Sequence, residues 1–179
     1  IKKGEQVLSG VVAKAAEIYG RQSRFYIEAL KNYAIYITDF TRDTERVLPI
    51  YDDLLAYIGS HEKDILLKSQ ILSGYARILF RKGELKEALV IIRDILHQDE
   101  WKDASGDLLA NPPLDSLRQD RSTLRILQLK YSILRSLWTG SKNLGTLESA
   151  ANTAELIIAM LDRIRYSITE EESRIILGD

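Results

Sequence analysis

The residues best suited to chemistry in this sequence are two histidines and two short runs of carboxylates. His61 and His97 could bind a metal or act as general bases, and the acidic runs 52–53 and 170–172 could supply acid–base pairs. The imidazoles have no partners at metal-ligand spacing, so we interpret them as surface or capping residues near helix ends. Adjacent residues on a helix point about 100° apart, so neither acidic run converges on one point. Residues 170–172 fit a first helical turn, where the helix dipole favours negative charge.

The composition argues against most other kinds of site. The chain has no cysteine, which excludes a disulfide, a thiolate nucleophile and a cysteine-based zinc site. Its 25 basic and 26 acidic residues give a formal charge of −1, without the basic excess typical of nucleic-acid binding. The sequence contains no glycine-rich phosphate loop, His-Glu zinc helix, serine nucleophile elbow or membrane-length apolar run. We therefore expect no enzyme, no cofactor, no metal, no nucleic acid and no membrane partner, with the cytoplasm as the default location.

The elements that would position any site are predicted to be helices. The 179 residues are 45% apolar, which is enough for one domain with a core. Segments 62–82 and 122–138 are broadly apolar, segment 4–20 resembles a further helix, and no period of two suggests a strand. We therefore predict an all-α fold. Three further segments carry apolar stripes of helical spacing that should face a core: Tyr26, Ala29, Leu30, Tyr33, Ile37 and Phe40; Leu85, Ala88, Leu89, Ile92, Ile95 and Leu96; and Leu147, Ala150, Ala151, Ala154, Ile157, Ile158, Leu161 and Ile164.

The sequence also repeats itself. Residues 28–37 align with 70–79 at an offset of 42, and residues 47–55 align with 88–96 at an offset of 41. The one-residue difference falls between two helices, where an insertion costs little. A third copy of the second helix occupies 150–158, preceded by its first helix at 121–138. Self-similarity at this period is typical of stacked helix pairs, so we predict three repeats, at about 22–59, 61–97 and 121–166, in a single domain over 1–179.

The remaining segments are an insertion and a tail. Residues 98–120 separate the second and third copies, and Asn111 before Pro112 predicts a short helix with Asn111 as its N-cap. Thr169 and Glu172 form a capping-box pattern, which predicts a new helix from about residue 170. We interpret 167–179 as the start of a linker helix to a downstream domain, and expect the chain to be a fragment of a larger protein.

Segment 72–95 resembles a tetratricopeptide repeat (TPR). Leu72, Tyr75, Ala76 and Leu79 occupy its first-helix positions, Gly83 its turn, and Ala88, Ile92 and Ile95 its second-helix positions. Gly83 can end a helix in the left-handed conformation, and Ala76 and Ala88 suit close helix crossings. Copy one departs from the pattern, with Val47 at a small-residue position and Arg42 near the turn. The resemblance implies a right-handed superhelix of antiparallel helix hairpins, an α-solenoid.

Residues 108–177 resemble the segment that precedes the caspase-like CHAT domain in bacterial TPR-CHAT proteins. The Asn111–Pro112–Pro113 run, the helix ending 162–165 and the continuation from Tyr166 to Ser173 carry this resemblance. It implies a regulatory arm for a downstream protease whose own domain lies outside this sequence.

In the repeat family the first helix of each pair lines a concave groove that holds a peptide. The resemblance places these polar and aromatic positions in that groove: Glu28, Lys31, Thr38, Gln70, Ser73, Arg77 and Phe80. We expect a protein–protein interaction or scaffolding module that holds a protein or peptide partner there and also contacts the downstream domain. The alternatives are an architectural spacer or self-association element, which an exposed apolar surface on the last helix pair would favour, and the sensor arm of a signalling kinase or transcription regulator. Trp101 and Trp138 could anchor a partner, although burial against the scaffold is the commoner fate of such residues.

Overall fold

The protein is all-α. A computed structural model describes residues 2–41, 43–61, 64–97 and 107–177, with side chains as far as residue 166. Within these ranges there are seven α-helices and no strand, as the periodicity predicts: α1 Lys2–Tyr19, α2 Arg24–Tyr36, α3 Thr44–Ser60, α4 Ile65–Lys82, α5 Leu85–Leu96, α6 Arg121–Ser141 and α7 Leu144–Leu177. Arg42 and Trp101 lie outside the described residues.

The helices form two compact units, Ile1–Gly83 and Glu84–Asp179. In the first unit α1 packs on α2, α2 on α3 and α3 on α4; in the second, α5 packs on α6 and α6 on α7. Each of these pairs is consecutive in the chain. Contacts are therefore mostly between helices that are neighbours in sequence, as expected where most connections are short. The connection between α5 and α6, residues 97–120, is the long exception.

The helix starts follow from short polar side chains at the cap positions. Ser23, Asp43, Asp64 and Asp120 each accept a hydrogen bond from the backbone N–H three residues later, at 2.7–3.2 Å. These oxygens satisfy N–H groups that have no partner inside the helix, typically stabilising each helix by about 1 kcal/mol. Aspartate at three of the four positions also complements the helix dipole.

Gly83 ends α4 as the sequence predicts. Its φ of 83° lies in the left-handed region, and its N–H bonds back to the carbonyls of Leu79 and Phe80. Lys142 takes the same role at the end of α6 with φ 55°, although it carries a side chain. Its ammonium lies 4.7 Å from the centre of the half-buried Trp138 ring.

The core of the first unit is built from α2, α3 and α4. Leu30, Ala34 and Ile37 are buried there with Tyr51 and Leu54. The aligned positions Ala76 and Leu79 on α4 are also buried, and so, in the second unit, are Ala88, Ile92 and Ile95 on α5. The apolar stripes of the aligned segments therefore point inward at equivalent positions.

Phe40 does not belong to the core stripe, so that prediction is wrong. Residues Ile37–Thr41 form a single π-helical turn at the end of α2. A π-turn holds more residues per turn than an α-helix, so it rotates the following side chains away from a 3.6-residue stripe. Ile37 and Thr38 are both buried, while Phe40 is exposed and its ring lies 4.9 Å from that of Tyr36.

The last helix is longer than the sequence predicts. The helix expected to begin near residue 170 does not exist as a separate element, because α7 continues without interruption to Leu177. Between residues 146 and 177 there is neither Gly nor Pro to end it. In an uninterrupted helix the N–H groups near Thr169 bond to carbonyls of the preceding turn, so a capping box has nothing to cap. A linker role for 167–179 stays a prediction.

The core stripe predicted for α7 is also partly wrong. Ala150 is buried, but Leu147, Ile158 and Leu161 are exposed. The buried positions include Thr146 and Thr153, which the apolar pattern could not indicate. Threonine is buried at these positions because its hydroxyl can bond within the helix or to a neighbour, as Thr153 does to the Ser149 carbonyl at 2.7 Å.

The Asn111 cap is a further correction. The short helical turn is a 3₁₀ turn over Leu114–Ser116, preceded by Pro113 without a side-chain cap. Instead, the Nδ2 group of Asn111 donates a hydrogen bond to the hydroxyl of Thr153 on α7, at 3.0 Å. This long-range contact competes successfully with the local cap.

Candidate functional site: the polar row of α2 and α4

The predicted groove positions lie along α2, the π-turn and α4. Polar contacts link these elements from Lys31 to Gln70, from Arg77 to Asp39 and from Arg81 to the Thr38 carbonyl. We use the name α2–α4 row for the residues of these contacts together with the other predicted positions on the same helices: Glu28, Lys31, Thr38, Asp39, Gln70, Ser73, Arg77, Phe80 and Arg81. It includes all seven positions singled out from the sequence. Asp39 and Arg81 were not predicted.

Lys31 ties the two helices together at one end of the row. Its Nζ donates to Glu28 Oε2 and to Gln70 Oε1, both at 2.5 Å. The Lys31 side chain is only 8% exposed, whereas that of Glu28 is 36% exposed. A buried ammonium loses its water and must be compensated by acceptors, which these two oxygens provide. Lys31 is therefore part of the interior and does not present its charge to solvent.

A second cluster lies at the π-turn. Arg77 Nη1 donates to Asp39 Oδ1 at 2.9 Å, and Arg81 Nη2 lies 3.8 Å from the same oxygen. Arg81 also donates to the backbone carbonyl of Thr38. The last carbonyls of a helix lack partners within it and carry negative dipole charge, so a guanidinium is well placed there. The π-turn thus sets Asp39 beside two arginines of α4.

The other predicted positions differ in how accessible they are. Thr38 is buried, and its hydroxyl donates to the Ala34 carbonyl at 2.8 Å. Ser73 is half-buried and donates to the Gln70 carbonyl at 3.0 Å. Gln70, Arg77 and Phe80 are also half-buried. The accessible part of the row therefore alternates carboxylate, amide, hydroxyl and guanidinium groups, which can accept and donate hydrogen bonds to a peptide backbone.

A buried tyrosine lies behind the row. Tyr51 of α3 is fully buried, and burial raises the pKa of its phenol to about 12. The Thr38 side chain opposes this rise in part, although no well-formed hydrogen bond to the phenol occurs among the described residues. A phenol that stays protonated and enclosed by packing is a structural group, without the access that an acid or base needs.

The histidines lie where the sequence places them. His61 and His97 are the C-cap residues of α3 and α5. The His61 ring stacks on Tyr57 with centroids 4.0 Å apart, and its Nδ1 lies 3.0 Å from the Tyr57 carbonyl. In the described part of the chain no three His, Cys, Asp or Glu side chains lie together as metal ligands.

The second unit contains one buried charge that sequence reasoning missed. Lys130 of α6 is fully buried, and its Nζ donates to the Ala110 carbonyl. Burial lowers the pKa of Lys130 to about 8, opposed in part by the carboxylate of Asp107. Lys130 interrupts the apolar face between Leu127 and Leu134, and that position on the stripe is the signal that could have identified it.

Comparison with known proteins adds no further assignment: no protein-family model, curated protein or solved structure matches the chain. Of the helices described, none has the length and apolar character needed to cross a membrane.

Proposed function

We propose that this chain is a non-catalytic protein–protein interaction module that holds an extended peptide along the α2–α4 row. The TPR resemblance of segment 72–95 is the reason to expect stacked helix hairpins with such a site. In this proposal the buried contacts of Lys31 fix the spacing of the two helices. The half-exposed groups then contact the ligand.

The observation that supports the proposal is the Asp39–Arg77 ion pair, whose arginine lies about one turn of α4 from Ser73 and two turns from Gln70. Partly exposed ion pairs contribute little to stability, about 0–1 kcal/mol, so their charges can be redirected to a ligand at low cost. A guanidinium held by one carboxylate still has free N–H groups for a carbonyl or carboxylate of a peptide. Arg77 therefore provides a donor for a peptide, and Glu28 provides an acceptor on the neighbouring helix.

The test uses peptides selected from a random display library on the folded chain. Arg77→Gln and Ser73→Ala should each weaken their binding, by about tenfold for the guanidinium. Arg125→Gln, at an exposed site on α6, is the matched control and should leave binding unchanged. Lys31 is unsuitable for this test because its replacement disturbs a buried contact. Binding that is insensitive to both changes would contradict the proposal.

The CHAT resemblance extends the proposal to a regulatory arm. In this view the module controls a caspase-like protease that follows it in the same parent protein. The reading frame beyond Asp179 should then encode a strand-rich domain with separated His and Cys residues. A coiled coil, a kinase or a DNA-binding module there would contradict this extension and leave the peptide-binding proposal standing.

A second candidate function is that of an architectural or self-association element. The exposed apolar side chains of α7 favour it, because self-association through the last helix pair needs an apolar surface there. Sedimentation of the purified chain tests it: a dimer that dissociates on Ile158→Ser would support it, and a monomer at all concentrations would contradict the self-association form.

A further inference from the structure

One long face of α7 is apolar and open in the second unit. Leu144 and Ile158 are 79% and 59% exposed, and Leu147 and Leu161 are exposed as well. Between them lie Ala151, exposed, and Ala154, half-buried. We call these six positions the α7 seam: Leu144, Leu147, Ala151, Ala154, Ile158 and Leu161.

The spacing of the seam is that of a coiled-coil contact. The positions follow one another at intervals of 3, 4, 3, 4 and 3 residues. Apolar residues at a 3.5-residue period line up along one helix face and form the knobs and holes that receive a second helix. A stripe of this regularity suits a helical partner better than an extended one.

Two other sides of α7 are already covered. Its buried stripe includes Ala150, Thr153 and Met160, and α6 is the helix that packs against it in this unit. Segment 107–117 covers an adjoining side through Asn111 to Thr153 and through Asp115 to Arg163 at 2.6 Å. The seam lies on neither of these sides, so within the second unit it remains solvent-exposed.

An acidic row runs along the seam. Glu148, Glu155 and Asp162 are all exposed and each follows a seam residue by one position, at intervals of seven. In heptad terms they occupy the flanking position that pairs with charges on a partner helix. The cations nearest in sequence lie at the two ends and have other contacts. Lys142 lies over the Trp138 ring, Arg163 pairs with Asp115 at 2.6 Å, and Arg165 lies 3.7 Å from Asp162.

We propose that the α7 seam binds an amphipathic helix of another protein, with Leu or Ile at 3–4 spacing and Lys or Arg along its flank. Complementary charge selects this occupant. A second copy of the chain would bring acidic rows together in the antiparallel orientation. In the parallel orientation it would place them beside Ala150 and Ile157, which carry no charge. Either arrangement lacks the cations that the exposed carboxylates of Glu148 and Glu155 favour.

The test compares two designed helical peptides of about three heptads. Both carry Leu at the contact positions; one has Lys and the other Glu at the flanks. Fluorescence anisotropy with the full chain should show the Lys peptide binding at least about tenfold more tightly, with the preference shrinking at high salt. Equal affinities, or no binding of the Lys peptide, would overturn the proposal.

Two variants locate the interaction. Ile158→Ser should weaken Lys-peptide binding by about tenfold, whereas Val90→Ser, at an exposed apolar site on α5, should not. Changing Glu148, Glu155 and Asp162 together to Lys should reverse the preference towards the Glu peptide, which is a gain that misfolding could not produce. Failure to reverse it would overturn the proposal, as would a wild-type dimer that Ile158→Ser dissociates.

This inference does not depend on the peptide site of the first unit. Arg77→Gln should leave Lys-peptide binding unchanged. The two proposals can therefore fail separately.

Discussion

The phenol of Tyr51 fills the space that a side chain at Gly74 would occupy. A Cβ at Gly74 would lie 3.0 Å from Tyr51 Cζ and overlap its hydroxyl. Gly74 is buried in the middle of α4, where glycine normally costs about 1 kcal/mol relative to alanine. Glycine is needed at this position despite that cost, because the Tyr51 ring of α3 packs directly against the backbone of α4.

Gly74→Ala should therefore destabilise the first unit even though alanine favours helix. We expect a net loss of about 1–2 kcal/mol in the free energy of unfolding, since the overpacking exceeds the gain in helix propensity. Urea denaturation followed by circular dichroism measures it. Gly10→Ala is the control: nothing lies within 4 Å of that position on α1, so the same change should stabilise. The cost at Gly74 should shrink in a Tyr51→Phe background; an unchanged cost would mean that the hydroxyl is not the obstacle.

The left-handed end of α4 predicts a second loss. Gly83→Ala should lower the free energy of unfolding by about 1 kcal/mol, because a Cβ is strained at φ 83°. No atom outside the immediate neighbours lies within 4 Å of the added Cβ, so packing does not contribute. A neutral or stabilising Gly83→Ala would contradict the helix end described above.

Replacing Glu28 and replacing Lys31 should have unequal effects on the free energy of unfolding. Glu28→Gln leaves a buried ammonium without its carboxylate and should cost about 1–3 kcal/mol. Lys31→Met removes the buried charge and leaves Glu28, which is 36% exposed, free to be hydrated, so its cost should be smaller. Thermal and urea unfolding of both variants measures the order. The reverse order would show that Lys31 is hydrated in solution.

Lys130 predicts a stability that rises with pH. Its pKa falls to about 8 on folding from an ordinary value of 10.5, so between these values the unfolded chain binds more protons. The free energy of unfolding of the wild type, minus that of Lys130→Met, should therefore increase by about 2 kcal/mol from about pH 7 to about pH 10. The pKa of Tyr51 is higher, at about 12, and Tyr51 is present in both proteins. Its contribution therefore cancels in the difference. A flat difference over this range would contradict the burial of the Lys130 ammonium.

The sequence predicts the helices well because their signals are local. Periodicity places α2, α4, α5 and α6, and Gly83 marks the end of α4 with the correct conformation. Each of these depends on residues within one or two turns of each other. The α7 boundary is the exception, since a capping-box pattern at Thr169 does not stop a helix that has no breaker.

The candidate site is less predictable because its contacts are distant in sequence. Lys31 reaches Gln70 across 39 positions, and Arg77 reaches Asp39 across 38. A polar residue on a helix is predicted to face solvent unless such a partner is known. The sequence therefore predicts that Lys31 and Thr38 are accessible, whereas both are buried. The π-turn also limits prediction from sequence. Its one additional residue turns Phe40 outward and Asp39 towards α4, and the helical periodicity gives no sign of it.

The central claim is that the α2–α4 row holds a peptide, and backbone NMR of the labelled chain tests it most directly. Titration with a library-selected peptide should shift amide signals of α2, the π-turn and α4 together, with the largest changes near Ser73 and Arg77. Arg77→Gln should reduce both the affinity and these shifts. If bound peptides shift only signals of other helices, or if no peptide can be selected, the claim is wrong.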